Sequence, residues 1–561
     1  MVVTTPAAEP WRAHYAHPGS WELELPPLSL PEMFTTSVAA FGDRALVDFM
    51  GRQFSYAQIH AEAQAFAAGL QALGISKGDR VGLYLPNVPI YLSAYYGAAM
   101  AGATLVNFSP LYSAAELTAQ VEDSGTRLLV TINSAALLPT ALDVLRSSPL
   151  ETLVVGSLGA MLPLTKRLLL AVLGRKAITS IPAEAGVLRW EAALSSAAPA
   201  PVALDPETDL VLLQYTGGTT GVPKGAMLSH QNVTANARQV NAIDPQSGSR
   251  DVIVGVLPMF HVFANVSVLN RTVINGGCIA MLPRFDAGQA LKTLQRVRAT
   301  SFPGVPTMYQ ALIDHPRAAT TDFASLRVCI SGGAPLPLPL KQRFEALSHA
   351  RLVEGYGLTE TSGVVSANPY EGEERPGTIG QPIPSTRVRL LDREDSTKDA
   401  VPGEPGELAI QGPQVMQGYW QRPEAAASAF AERPDGRWLR TGDVATIDAE
   451  GYISIVDRIK DMIAVGGFKV FPSQVEAVLE EHPAVKEVLV IGVADDYLGE
   501  VPRAYVTLRE GADGADLRDW LNTRVGKHER VDAVVVREAL PKTMIGKLDR
   551  KGLREELARE T

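Results

Sequence analysis

Apolar residues recur at helical spacing from Tyr56 to Leu73 (YAQIHAEAQAFAAGLQAL), and the run stops at Gly74, which can take the left-handed turn that ends a helix. The next apolar stretch, DRVGLYLPN, is too short for a helix and reads as a buried strand; PIYLSAYYGAAMAGATLVN reads as helix, glycine break and strand. The alternation continues through RLLVTIN, ETLVVG and DVIVGVLP. Strand and helix in turn predict an α/β fold with parallel sheets. The small, proline-rich stretch SSAAPAPVALDP, from Ser195 to Pro206, predicts a loop.

Between Ser385 and Glu407 the pattern changes: RVRLLD and ELAIQG flank the polar turn REDSTKDAVPGEPG, which predicts a smaller β-rich segment. From Gly451, GYISIVDRIKDMIAVGGFKV predicts a hairpin ahead of the helix PSQVEAVLEEH. VKEVLVIGV, RAYVTL, a helix near DLRDWLNTRV and AVVVREAL then complete an α+β unit of about 100 residues. The expected organisation is a large α/β body over 1–456, including the β-rich subdomain, followed by a small mobile α+β domain over 457–561. No internal repeat interrupts it.

Composition narrows the function classes. With 561 residues, 46% apolar and 20% charged, the chain is neither a small binding module nor disordered. Its 51 basic and 61 acidic residues give a net charge of −10, which argues against a broad basic face for nucleic acid. Two distant cysteines, Cys278 and Cys329, form no CxxC pair or disulfide framework and fit a reducing compartment. The N-terminus lacks a basic region followed by an apolar one, and no uncharged apolar run reaches the ~18 residues of a membrane span. A soluble, cytoplasmic protein is expected. Leu162 to Ile178 (LPLTKRLLLAVLGRKAI) sets leucines among Lys166, Arg167, Arg175 and Lys176. It reads either as an interfacial amphipathic helix, peripheral at the inner face of a membrane, or as a core-packed helix with solvated basic ends.

The densest chemical signal is Gln214 to His230, QYTGGTTGVPKGAMLSH, directly after the strand-like run DLVLLQ. Its glycines, Gly217, Gly218 and Gly221, let backbone N–H groups approach an anion; Thr216, Thr219 and Thr220 add hydroxyls, and Lys224 adds a fixed charge. Such a loop suits a polyphosphate. It is neither a Walker A motif, because Lys224 stands between Pro223 and Gly225, nor a GxGxxG dinucleotide motif.

The loop resembles the phosphate loop of the adenylate-forming, acyl-activating enzymes, and further family segments follow in order: PMFH at Pro258, SGGAPL at Ser331, EGYGLTET at Glu354, RTGD at Arg440, VDRIKDMI at Val456 and LPKTMIGK at Leu540. Within that superfamily YTGGTTGVPKGAML, LVEGYGLTE, GPQVMQGYWQRPEA and IVDRIKDMIAVGGFKVFPSQVE are most similar to bacterial long-chain fatty-acid:CoA ligases. The resemblance implies two half-reactions: a carboxylate attacks the α-phosphate of ATP to give acyl-AMP and pyrophosphate, then the thiol of coenzyme A displaces AMP. It assigns Tyr356, Gly355, Gly357, Gly332, Gly333 and Ala334 to the adenine site, Thr359 to the α-phosphate, and Glu360 with Thr219 to Mg²⁺. Asp443 falls to the ribose hydroxyls, Arg458 to a second ribose or phosphate contact and Ile455 to the ATP site, and Lys547 to the substrate carboxylate and α-phosphate. A local alternative for the TE pair is a helix start that Thr359 caps.

The same resemblance makes Asp457 a hinge between the half-reactions, Gly466 and Gly467 a channel for coenzyme A, and His261, Met308 and Tyr309 the border of the acyl pocket, with His261 a catalytic gate between half-reactions; a satisfied core histidine is the alternative for His261. Amino-acid-activating relatives place an aspartate after the phenylalanine of PMFH; His261 stands there instead, which favours an acyl chain without an ammonium group. KHERVDAVVV, from Lys527, departs from the family's pattern near the coenzyme A entrance. Medium-chain or dicarboxylic acids, a carrier protein as final acceptor, and an inactive nucleotide or acyl-CoA sensor stay open as alternatives, as does a homodimer.

Overall fold

Helix Pro89–Met100 (PIYLSAYYGAAM) is apolar on every face, and residues 89–99 are all buried, as expected of a helix with no side left for water. Its tyrosines can be buried because each hydroxyl finds a partner. Tyr91 lies 2.9 Å from Asn107 Oδ1 and 2.8 Å from the Met259 carbonyl, Tyr95 3.0 Å from Asn265 Oδ1, and Tyr96 2.9 Å from Asn270 Oδ1. Gly97 lets this helix press against Tyr56–Ala72, since a Cβ there would stand 2.6 Å from the Ala63 carbonyl oxygen. Helix Tyr56–Ala72 itself starts on a reciprocal cap between Ser55 and Gln58.

The computed structural model describes residues 9–560 apart from 217–222, 467, 496 and 544–545, and without the side chains at 171, 173 and 175. The chain is α/β and divides into two units: Tyr15–Thr386 with Gly412–Ala429, and Arg387–Gln411 with Phe430–Thr561, joined by the N-terminal residues up to His14.

Among the described residues the larger unit holds two sheets. In one, Leu210–Thr216, Thr104–Asn107, Arg80–Leu83, Thr126–Ile132, Thr152–Gly156 and Val187–Arg189 run parallel in that spatial order. Lys224–Ser229 and then Gly418–Tyr419 extend its edge antiparallel. The other is built around Cys278–Met281, Val252–Gly255, Ser301–Gly304, Val328–Gly332 and Arg351–Tyr356, again parallel neighbours. Parallel sheets are covered on both faces, which is why their strands read as continuous apolar runs. The stretch from Ser195 to Pro206 carries no strand or helix.

In the smaller unit, Arg387–Leu391 and Gly406–Gln411 pair antiparallel around the polar turn, and Gly436–Ile447 joins them. The apolar stretch from Gly451 is not one hairpin. Ile453–Arg458 pairs back onto Gly436–Ile447, a 3₁₀ turn follows at Ile459–Asp461, and Ile463–Val465 with Phe468–Val470 belongs to a different sheet. Asp457, near the end of strand Ile453–Arg458, and Asp461, the last residue of the 3₁₀ turn, are buried polar residues, which apolar alternation does not signal. Helix Pro472–Glu480 and the long pair Val485–Asp495 with Gly499–Leu508 complete this region.

Among the described residues no helix is long and apolar enough to cross a membrane. Helix Leu164–Leu173 is not packed into a core: Leu164, Leu168, Leu169 and Val172 are 76%, 67%, 57% and 71% exposed.

Candidate functional site

The larger unit collects the first group of residues. Strands Leu210–Thr216 and Lys224–Ser229 are antiparallel with Thr216 opposite Lys224, so the two ends of the glycine loop are cross-strand partners, and the Thr216 hydroxyl lies 3.4 Å from the Lys224 carbonyl. Gly217, Gly218, Thr219, Thr220 and Gly221 lie outside the described residues. The Lys224 ammonium sits over the Tyr419 ring, 5.1 Å from its centre, and the Tyr419 hydroxyl donates to Glu360 Oε1 at 2.7 Å. Burial and the Glu360 carboxylate raise the Tyr419 pKa, so the phenol keeps the proton it donates.

Glu360 stands in the short turn Thr359–Thr361, after strand Arg351–Tyr356. The cap of this turn is made by Thr361, whose hydroxyl lies 3.0 Å from both the N–H and the carbonyl oxygen of Leu358; Thr359 makes no side-chain cap. The capping alternative for Thr359 therefore fails. Gly357 is required by the protein's own backbone, because a Cβ there would lie 1.6 Å from the Gly363 carbonyl oxygen. Gly355 is not: a Cβ there meets nothing nearer than 3.7 Å. Tyr356 is held by its carbonyl, which accepts from Val365 N–H at 2.8 Å.

SGGAPL follows strand Val328–Gly332, with Gly333 in the left-handed region at φ 84° and Ala334 next to it. The Phe263 ring packs on Gly332, where a Cβ would stand 3.0 Å from two ring carbons, so the PMFHVF segment and SGGAPL are neighbours. His261 opens this segment as its N-cap, Nδ1 accepting from Phe263 N–H at 3.3 Å. Met308 and Tyr309 lie in helix Pro306–Asp314. Tyr309 is fully buried, its hydroxyl 2.6 Å from the Phe302 carbonyl and 2.9 Å from that of Ile330, which ties the helix to two strands of the sheet.

The second group lies in the smaller unit. Asp443 and Arg458 are cross-strand partners with Arg458 Nε 2.9 Å from Asp443 Oδ1, and Ile455 pairs with Ala445 two residues further along. Burial and the Arg458 charge push the Lys547 pKa down to about 8, while Asp443 draws it the other way. Asp443, Arg458 and Lys547 thus form one electrostatic cluster. Asp457 is buried, and its carboxylate accepts from Ser473 N–H at 2.8 Å and Arg458 N–H at 2.7 Å. Gly466 turns with φ 55° between Ile463–Val465 and Phe468–Val470; Gly467 lies outside the described residues.

Three residues make contacts that no motif assigns. Tyr419 joins Lys224 to Glu360. Glu407, buried, binds the Arg440 guanidinium at 2.7 Å and Gly442 N–H at 3.1 Å, and so shapes the RTGD turn. Glu354, the first residue of EGYGLTET, accepts a backbone bond from Leu336 of the SGGAPL loop, and burial pushes its pKa up to about 8. Each contact joins segments distant in sequence, which spacing along one chain does not carry.

Comparison with known proteins gives concordant results. Residues 34–420 match the AMP-binding enzyme family and residues 474–547 the AMP-binding enzyme C-terminal domain. The chain is 38% identical over 559 residues to a long-chain-fatty-acid–CoA ligase of Bacillus subtilis, covering 98% of each chain. It is 36% identical to the enzyme of that name from Escherichia coli O157:H7, covering 94% of each. Among solved structures, ATP-bound MatB from Rhodopseudomonas palustris superposes with TM-score 0.80 at 29% identity, covering 94% of this chain and 99% of that one. A Mycobacterium tuberculosis fatty acyl CoA synthetase superposes with TM-score 0.70 at 28% identity, covering 95% of this chain and 99% of that one.

Proposed function

This chain belongs to the AMP-binding enzyme family, and on that premise we propose that it activates long-chain fatty acids, with the residues above in the roles their geometry supports. It is an AMP-forming acid–thiol ligase with ATP and coenzyme A as co-substrates. A carboxylate oxygen attacks the α-phosphorus, the bond to the bridging oxygen breaks and pyrophosphate leaves; the thiolate of coenzyme A then attacks the acyl carbon and AMP leaves. Both steps develop negative charge on oxygen, so fixed cations and donors are the means of catalysis.

The observation that carries the assignment of roles is the cluster of Asp443, Arg458 and Lys547. A buried carboxylate paired to an arginine suits ribose hydroxyls, and a lysine whose pKa is pushed down to about 8 is poised to hold a carboxylate beside a phosphate. In the larger unit Lys224 and Thr216 bind the polyphosphate, Thr359 the α-phosphate, and Tyr356, Gly332, Gly333, Ala334, Gly355 and Gly357 the adenine. A Cβ at Gly355 would make only ordinary contacts, 3.7 Å at the nearest, so the fold does not itself demand this glycine and a flat ring lying there would account for it.

Among the described residues no group of three or more His, Cys, Asp and Glu side chains converges. The donor chemistry nevertheless fits Mg²⁺, which takes one or two carboxylates, substrate phosphates and water rather than a protein cage. Glu360 is the residue that would hold it, and the ion would neutralise phosphate charge. Asp457 serves as the hinge between half-reactions, Gly466 lines the coenzyme A channel, and His261 and Met308 border the acyl pocket.

An acyl chain supplies about 0.8 kcal/mol of binding per buried methylene, so a long chain contributes much of its own affinity. Four exposed apolar side chains on helix Leu164–Leu173, with Lys166, Arg167 and Lys176 exposed alongside, support peripheral contact with an anionic membrane, where such acids partition. The test is AMP release with ATP, Mg²⁺ and acids of graded chain length, with and without coenzyme A. Turnover that needs both a long-chain acid and the thiol is expected. Turnover confined to short or dicarboxylic acids would overturn the substrate assignment.

A further inference from the structure

The segment GPQVMQGYWQR, from Gly412, carries no role in the reaction as described, yet it is bonded at several points to the two elements that bear Glu360 and Lys224. Met416 N–H donates to the Glu360 carbonyl at 2.8 Å, and the Ser362 hydroxyl donates to the Gln414 carbonyl at 2.9 Å. On the other side Gln417 N–H donates to the Met227 carbonyl at 2.9 Å and Trp420 N–H to the Gly225 carbonyl at 2.8 Å, in register with strand Lys224–Ser229. The indole N–H of Trp420 donates to the Asp123 carbonyl at 3.1 Å, and Asp123 Oδ2 accepts from the Tyr215 hydroxyl at 2.6 Å. The backbone of this segment is therefore fixed to the Thr359–Thr361 turn and to the lysine strand at once.

From that fixed backbone Tyr419 reaches both functional groups. Its hydroxyl donates to Glu360 Oε1 at 2.7 Å and its ring lies 5.1 Å under the Lys224 ammonium. One carboxylate oxygen is thereby occupied and the side chain's orientation set, which leaves Oε2 for a cation. The aromatic face gives the lysine a seat that does not neutralise it, as a carboxylate would. A rigid two-ended connector between an anion and a cation suits a ligand that carries both charges, a divalent cation on a nucleoside polyphosphate.

We propose that Tyr419 is a positioning residue for the metal–triphosphate, orienting Glu360 through its hydroxyl and Lys224 through its ring. The inference rests on the assignment of Glu360 and Lys224 above. Groups that orient a metal ligand from behind typically contribute 10–100-fold to metal affinity. Replacing Tyr419 by phenylalanine keeps the ring and deletes the hydroxyl, whereas leucine deletes both.

The test is calorimetric titration of the full chain with ATP, once in EDTA and once at graded Mg²⁺, for the wild type, Tyr419→Phe and Tyr419→Leu. For Tyr419→Phe the metal-free Kd should stay within about twofold, while the Mg²⁺ concentration that half-saturates the tightening rises about tenfold. Tyr419→Leu should show the same rise and, in addition, about threefold weaker metal-free binding. An unchanged Mg²⁺ midpoint in Tyr419→Phe overturns the proposal. So do equal losses with and without metal in both variants, the mark of a packing defect, and a wild type whose ATP affinity ignores Mg²⁺. Failure of the substrate assignment looks different: the wild type binds Mg²⁺–ATP with a metal-dependent Kd and adenylates no fatty acid.

Discussion

Arg458 Nε lies 2.9 Å from Asp443 Oδ1 on adjacent strands, and the ammonium of Lys547 is the third charge of that cluster. Burial and Arg458 push the Lys547 pKa down to about 8, so the side chain is charged below that pH and neutral above it. Acyl-AMP formation, measured without coenzyme A, should hold level up to about pH 7 and fall as pH rises through about 8. With saturating ATP, Asp443→Asn removes the one group that raises this pKa and should move the inflection to lower pH. Lys547→Ala should lower acyl-AMP formation more than tenfold; a smaller loss would exclude the assigned role. The stability sign is the reverse of the catalytic one. The unfolded lysine, near 10.4, holds its proton more tightly than the folded one, so stability rises with pH between about 8 and 10.4.

Asp457 is a helix cap as well as a candidate hinge, because its carboxylate takes Ser473 N–H in the first turn of helix Pro472–Glu480. Asp457→Ala should cost about 1 kcal/mol in chemical denaturation through the lost cap, with both half-reactions largely preserved. Asp457→Pro also fixes φ, and it should impair thioester formation far more than acyl-AMP formation. Equal loss in separate half-reaction assays would refute the hinge.

Arg271 is fully buried in an ionic network: it pairs with Asp244 and lies 3.5 Å from Asp251, while Arg327 reaches Asp244 at 2.7 Å and Asp251 at 3.2 Å. Removing one cation leaves buried carboxylates undercompensated, so Arg271→Leu should destabilise the larger unit by about 3–5 kcal/mol in urea unfolding. Coupled replacement of Asp244 by leucine should recover part of that loss, since contacting residues are not additive.

Leu168 and Leu169 are more than half exposed on helix Leu164–Leu173. The double variant Leu168→Asp, Leu169→Asp should cosediment several-fold less with anionic vesicles while its turnover of a water-soluble acid and its melting temperature stay unchanged. Unaltered cosedimentation would remove this helix from any membrane contact.

Much of this molecule is written in local pattern. The helix over Tyr56–Ala72 and the buried strands at Arg80–Leu83, Thr126–Ile132 and Thr152–Gly156 follow from periodicity and from the all-apolar character of covered parallel strands. What periodicity misses is polar burial. Asp457 and Asp461 sit inside the stretch read as a hairpin, buried where it passes between two sheets; Asp457 bonds the N–H groups of Arg458 and Ser473, and Asp461 pairs with Arg554. The same holds for the site. Asp443, Arg458 and Lys547 are picked out by their motifs, whereas Tyr419 meets Glu360, 59 positions away along the chain, through a side-chain contact that no window of sequence displays.

The helix Pro89–Met100 fastens Asn107 at the end of one sheet's strand to Met259, Asn265 and Asn270 beyond the other's through three phenolic hydroxyls. It works as an internal strut, and a strut bonded at both ends removes a degree of freedom. The PMFH segment, proposed above to border the acyl pocket, is thereby tied to the sheet whose strand Leu210–Thr216 leads into the glycine loop. Tolerance toward acids of different shape must then reside in side chains and loops lining the pocket, so selection for a new acid would leave the three tyrosines untouched and fall on what surrounds His261 and Met308.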